Sequence, residues 1–223
     1  MNDIPLEKYI DHTLLKATAT EKDIENLCKE AIQYNFYAVC VNSSYVSLCK
    51  KLLKGSDVMT AAVVGFPLGA MHKDAKVFEA EQAIRDGADE IDMVIHIGML
   101  KSDRKDYVQE EISAIKKAIG DKVLKVIIET CYLTQEEKEA AIQMCVNAGA
   151  EFVKTSTGFG TGGATLEDIR LMKKIVGDSV KIKASGGLKD SSTAQQYIEE
   201  GISRIGTSSG IEILKGLTSE KSY

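Results

Sequence analysis

Eight times along this chain a short run rich in Val and Ile alternates with an amphipathic helical stretch. The runs are YIDHTLL (9–15), YAVCVN (37–42), VMTAAVVGF (58–66), EIDMVIHI (90–97), VLKVIIET (123–130), EFVKTST (151–157), VKIKAS (180–185) and RIGTSS (204–209). Between them lie polar-faced stretches such as EKDIENLCKEAIQY (21–34) and QEEKEAAIQMCVNA (135–148). Thr134 and Thr165 precede acidic first turns, the mark of helix N-caps. Strand-then-helix units in series build a parallel sheet with helical crossovers. Run midpoints only 23 to 34 residues apart, through eight units, predict an α/β fold of the closed (β/α)8, or TIM-barrel, type. An open doubly wound sheet is the alternative, but no GxGxxG follows the first run to support it.

Eight units in 223 residues leave no space for a second domain, and no Pro- or Ser-rich linker divides the chain. The expectation is one barrel over residues 1–215 and a polar, flexible tail over 216–223. Lys and Arg number 28 against 33 Asp and Glu, a net charge of −5, which argues against nucleic-acid or anionic-membrane partners. No apolar stretch approaches the ~20 residues of a membrane span. MNDIPLEKYIDHT lacks a basic region followed by an apolar block, so it does not read as a signal peptide. Five cysteines, Cys28, Cys40, Cys49, Cys131 and Cys145, never fall in CxxC spacing. Reduced thiols in a cytoplasmic protein are the expectation.

A shared register marks the strand starts. Asn35, Gly87, Gly149 and Gly201 each stand five residues before Cys40, Asp92, Lys154 and Gly206. If one kind of turn launches each strand, Asp92 and Lys154 point into the barrel while Ile91, Met93, Val153 and Thr155 face the helices.

Asp92, Lys154 and Lys183 then stand where a core would exclude charge. A buried ion pair would account for Asp92 and one lysine but leave the other lysine over. Lys154 and Lys183 lie on consecutive strands. Two ammonium groups about 5 Å apart at an effective dielectric near 20 repel by roughly 3 kcal/mol. That is about two pKa units, enough to favour one neutral amine. A neutral lysine is a Schiff-base nucleophile, and Asp92 beside it is a candidate general acid/base.

Ser185-Gly186-Gly187 ends the seventh run, and Gly206-Thr207-Ser208-Ser209-Gly210 ends the eighth. Those are the loops with which (β/α)8 barrels often hold phosphate. Gly158 opens a third glycine loop (158–163), suited to close approach of a ligand or to mobility.

FVKTSTG (152–158), VKIKASGG (180–187), IGTSSG (205–210), DHTLL (11–15) and EIDMV (90–94) together resemble the deoxyribose-phosphate aldolase family, over about residues 8–215. The resemblance implies the barrel fold and a metal-free, cofactor-free class I aldol reaction. In it, 2-deoxy-D-ribose 5-phosphate is reversibly cleaved to D-glyceraldehyde 3-phosphate and acetaldehyde. It implies Lys154 as the imine-forming residue, with Lys183 and Asp92 as proton-handling groups. It also implies phosphate contacts from Gly186, Gly187, Gly206, Ser208 and Ser209, and a sugar site lined by Asp11, Thr13 and Cys40.

Other readings remain open. One is a different Schiff-base barrel, transaldolase-like or acting on keto acids; another is a noncatalytic barrel that binds phosphosugars. A metal site at His96 is disfavoured, because on a strand it would stand about 13 Å from Asp92. A homo-oligomer is compatible with the outer helices. Tyr223 is either a residue that closes over the barrel mouth or the end of a frayed tail.

Overall fold

The computed structural model describes residues 4–219. Eight parallel strands close into a barrel in sequence order, the last pairing with the first. They are β1 (Ile10–Leu14), β2 (Ala38–Asn42), β3 (Met59–Val64), β4 (Glu90–Val94), β5 (Val123–Ile127), β6 (Phe152–Lys154), β7 (Lys181–Ser185) and β8 (Arg204–Thr207). Around them run α1 (Glu21–Gln33), α2 (Val46–Leu52), α3 (Lys73–Arg85), α4 (Ile97–Lys101), α5 (Lys105–Ile119), α6 (Gln135–Asn147), α7 (Leu166–Val176), α8 (Ser191–Glu199) and α9 (Gly210–Leu214). The predicted barrel is therefore the observed one. Among the described residues no helix is long and apolar enough to cross a membrane.

Local chemistry sets the helix ends. Thr20 with Asp23, and Thr134 with Glu137, form reciprocal capping boxes, and the Thr165 hydroxyl accepts the Asp168 N–H. At the exits the shared register has a structural cause. Asn35, Gly87, Gly149 and Gly201 all have positive φ, between 54° and 107°. At each, that N–H returns to the carbonyl three residues back, and the next N–H to the carbonyl five residues back: Gly87 to Ile84 and Ala88 to Ala83, for example. This is the left-handed helix stop in which glycine carries no Cβ penalty.

That common launch sets which faces are buried against what. Ile91, Met93 and Val153 join the large apolar layer between strands and helices. Inside the barrel the apolar cluster is small: Leu15, Cys40, Ala61 and Val63, with Phe66 against it. Charged side chains fill much of the rest.

The strands end earlier than the hydrophobic runs suggested. β4 stops at Val94, β6 at Lys154 and β8 at Thr207. One residue further the backbone still pairs, Ile95 N–H donating to Ile127 O and Thr155 N–H to Lys183 O; after that side chains take over, the Thr157 N–H donating to Glu129. Residues 216–219, which the sequence assigns to the tail, carry backbone hydrogen bonds. Leu217 N–H donates to Glu212 O and Ser219 N–H to Lys189 O, which ties 216–219 to the barrel. Tyr223 lies outside the described residues.

Candidate active site

Asp92 stands at the centre of β4, and its two carboxylate oxygens gather three lysines. Oδ2 accepts from Lys154 Nζ at 2.7 Å and from Lys183 Nζ at 2.8 Å, while Oδ1 accepts from Lys125 Nζ at 2.7 Å. The pairing register explains the convergence: Lys154 lies opposite Lys183, and Asp92 opposite Lys125. All of these groups are buried.

Their protonation divides sharply. Burial pushes Lys154 below the ordinary lysine value, and the neighbouring Lys183 charge works in the same direction against Asp92. Burial would also lower Lys183, but Asp11 and Asp92 outweigh it and hold Lys183 above the ordinary value. Burial alone would raise Asp92; Lys125, Lys154 and Lys183 together hold it well below the carboxylate range. The repulsion between the two lysines, expected from their adjacency, thus adds to a desolvation effect that ranks first. The result is one amine biased toward neutrality beside a persistent ammonium and a persistent carboxylate.

The Asp11 carboxylate is buried like Asp92 and Lys154, bonded by Lys183 Nζ and by Arg204 Nη1 at 2.6 Å. Register places it there: Asp11 faces inward opposite Gly206 on β8, and β7 with Lys183 is the next strand along. Thr13 also faces in and donates its hydroxyl to Asp11 O. With Ser208 it lines a cleft of about 460 Å³ between the β1 loop and α1. Cys40 is buried on β2, and burial raises its thiol pKa, so it is an uncharged wall of the interior.

The glycine loops meet at the same end of the barrel. Gly187 is exposed, with open space where a Cβ would stand, whereas Gly186 is buried against the Cα atoms of Gly163 and Gly158. Ala164 N–H donates to Ser185 O and Gly186 O, fastening the third glycine loop to the SGG turn. Ser208 is half-buried; Ser209 is buried and its N–H donates to Thr207 Oγ1. Gly206 has a further reason to be glycine: a Cβ there would stand 3.1 Å from Lys183 Cε and 3.0 Å from Ser185 Cβ. It gives Lys183 the space to reach Asp92.

Sequence reading missed three interior charges, Lys125, Glu90 and Arg204. Lys125 Nζ meets Glu90 Oε2 at 2.6 Å, and Arg204 Nη2 donates to Glu90 Oε1 at 2.9 Å. The signal was present. Lys125 interrupts VLKVI as Lys154 interrupts FVKT, and Glu90 and Arg204 stand two residues before the inward-facing Asp92 and Gly206. Glu129 was missed as well. It sits at positive φ after β5 and accepts from the Thr157 N–H and hydroxyl, joining the β5 and β6 loops beside the site. His96 is not on a strand: it precedes α4 as its N-cap, and its Nδ1 accepts the Met99 N–H. Among the described residues no group of three His, Cys, Asp or Glu is disposed to hold a metal ion.

Comparison with known proteins matches residues 6–216 to the DeoC/LacD family aldolase model. A deoxyribose-phosphate aldolase of Finegoldia magna is 59% identical over 95% of this chain and 99% of its own length. Among solved structures, the aldolase QR15 superposes with a TM-score of 0.91 at 45% identity, covering 96% of each chain. The tetrameric deoxyribose phosphate aldolase of Aeropyrum pernix superposes with a TM-score of 0.86 at 32% identity, over 94% of this chain and 89% of that one.

Proposed function

This chain belongs to the DeoC/LacD family of aldolases, and from that premise we propose how its own residues perform the reaction. It is a lyase that reversibly cleaves 2-deoxy-D-ribose 5-phosphate to D-glyceraldehyde 3-phosphate and acetaldehyde. The observation that carries the reading is the split among the buried amines: Lys154 is lowered while Lys183, bonded to the same Asp92 oxygen, is raised.

Neutral Lys154 adds through Nζ to the C1 aldehyde of the opened sugar phosphate, giving a carbinolamine. Loss of water yields a protonated imine, into which the electrons of the C2–C3 bond flow as the C3 hydroxyl gives up its proton. D-Glyceraldehyde 3-phosphate departs, and the enamine left on Lys154 takes a proton at C2. Hydrolysis then releases acetaldehyde. Asp92 and Lys183 hold and move the protons of the carbinolamine and enamine stages. Asp11 keeps Lys183 charged and in place at the edge of the sugar site, which Thr13 and Cys40 also line. Gly186, Gly187, Ser208 and Ser209, with Gly158 behind them, receive the phosphate through backbone N–H and hydroxyl donors. Phosphate binding far from C1 orients the reacting bond. No metal or organic cofactor enters this scheme, because the protonated imine is itself the electron sink.

The protein is further proposed to work in the cytoplasm as one barrel over residues 1–215, without nucleic-acid or membrane partners. The tetramer of the Aeropyrum pernix relative supports a homo-oligomer.

The test is to incubate the protein with acetaldehyde, reduce with borohydride, and locate the adduct by mass. A two-carbon adduct on Lys154 is the expected result, and K154L should abolish both adduct and turnover while leaving the fold. An adduct with keto acids alone would replace the reading with another imine-forming barrel. No adduct with any carbonyl compound would replace it with a phosphosugar-binding one.

A further inference from the structure

The charges inside the barrel close on themselves. From Asp11 the contacts pass to Arg204, then to Glu90, to Lys125, to Asp92, to Lys183 and back to Asp11. Around this circuit three carboxylates alternate with three cations, so the ring is neutral. Lys154 is a seventh group, outside the circuit. It hangs on Asp92 Oδ2, an oxygen that Lys183 already occupies.

A fourth cation in this water-poor interior has no carboxylate of its own. An uncharged amine has no such need: it still donates an N–H to Asp92 and keeps a lone pair for attack. We infer that Lys125 is a positioning residue for the aldol reaction, holding Lys154 in its neutral form by completing the three-for-three charge balance of the ring. Without Lys125, three carboxylates would face only Arg204 and Lys183, and Lys154 would become the third cation as an ammonium. Lys183 does not suffice by itself, because Asp11 and Asp92 both compensate it.

Competing charge near Lys154 is set by what each strand turns inward. β1 supplies Asp11, β4 Glu90 and Asp92, β5 Lys125, β6 Lys154, β7 Lys183 and β8 Arg204. β2 supplies Cys40, whose thiol burial keeps protonated, and β3 presents Ala61 and Val63. Beyond the strands, Glu129 faces Lys154 from the β5 loop; burial raises its pKa, and Thr157 takes up its carboxylate. The ring thus contains the strand-borne charges that surround Lys154.

This inference rests on the reading of Lys154 as the imine-forming amine. Its test is the pH dependence of borohydride trapping with acetaldehyde, alongside the kcat/KM profile, in wild type, K125M and E90Q. K125M removes a ring cation, so its acid limb should move up by about one pH unit or more, with trapping about tenfold slower near neutral pH and recovering in alkali. E90Q removes a ring carboxylate, so its limb should move down. A folded K125M whose rate falls equally at all pH, with the limb unmoved, would show a structural role and overturn the inference. An E90Q limb that stays or rises would do the same, and it decides the matter if K125M does not fold. Wild type forming no Lys154 adduct at any pH would instead overturn the aldolase reading itself.

Discussion

Lys76 and Glu111, clamped between α3 and α5, are buried as completely as the ring inside the barrel, yet their ionisation is driven the opposite way. Lys76 Nζ donates to Glu111 Oε1 at 2.7 Å and to Val94 O at 2.9 Å, and His96 N–H donates to Glu111 Oε2 at 3.0 Å. Burial still pushes Lys76 down and Glu111 up, each toward its neutral form. In the barrel the balance reverses: Lys183 and Lys125 are raised, and Asp11 and Asp92 are lowered, each toward its charged form. The difference is the number of opposite charges each group touches. A single ion-pair contact, even with Glu79 adding its pull on Lys76, does not offset desolvation; two or three contacts, closed into a ring, do. Such a ring can keep several groups ionised in a dry core while leaving a chosen neighbour uncharged.

Breaking the ring at its most shared member should have the largest effect. D92N removes the charge that three lysines hold in common, and kcat should fall by roughly 10²–10⁴-fold, the range for a group that handles protons in the reaction. Steady-state kinetics on protein whose fold is verified by circular dichroism would check it; a loss under tenfold would mean the ring does not govern the chemistry. The helix-layer pair should respond differently. K76M leaves Glu111 buried without its cation and should destabilise the protein by about 3–5 kcal/mol while leaving kcat per folded molecule unchanged. Urea unfolding paired with kinetics separates these outcomes.

Acid titration sharpens the contrast through its sign. Asp11 and Asp92 have folded pKa values below the ordinary 3.8, so they contribute stability that is present above about pH 4 and lost as pH falls through their lower folded values. Glu111 has a folded pKa above 4.5, so its contribution is present below that value and lost as pH rises through the folded pKa. E111Q should therefore steepen the fall of Tm on acidification, and D11N should flatten it, each on the order of 1 kcal/mol across the window. Equal slopes in all three proteins would erase the distinction. At the small end stands Glu137, a carboxylate at the solvent edge in the Thr134 capping box. T134A, which loses that cap hydrogen bond, should cost about 1 kcal/mol in urea unfolding and nothing in kcat.

The barrel was legible because its signals are local and repeat: apolar runs, capping residues, and a helix-stop residue five positions before the inward-facing side chain. Lys154, Lys183 and Asp92 were legible as charges inside apolar runs, and the structure brings all three into contact. Lys125 carries the same signal in VLKVI, but it lies outside the motifs that carry the family resemblance. Glu90 and Arg204 stand at the first positions of their strands, where a charge reads as the polar end of a run unless the alternation is counted back from Asp92 and Gly206. Asp11 is legible as a site residue from DHTLL, but nothing along β1 reveals that Arg204, 193 positions away, turns toward it.

Sequence alone determined the eight units, the register of their launches and the chemistry of Asp92, Lys154 and Lys183, because each depends on spacing within a few residues. It also determined that the chain would carry more interior charge than a packing core tolerates. Folding decided which charge belongs to which. Closing β8 onto β1 carries Arg204 to Asp11 and lets six charges from five strands form a circuit, leaving Lys154 as the seventh. Charge balance is summed over everything within a few ångströms, and only a closed barrel brings residues 11 and 204 to that distance.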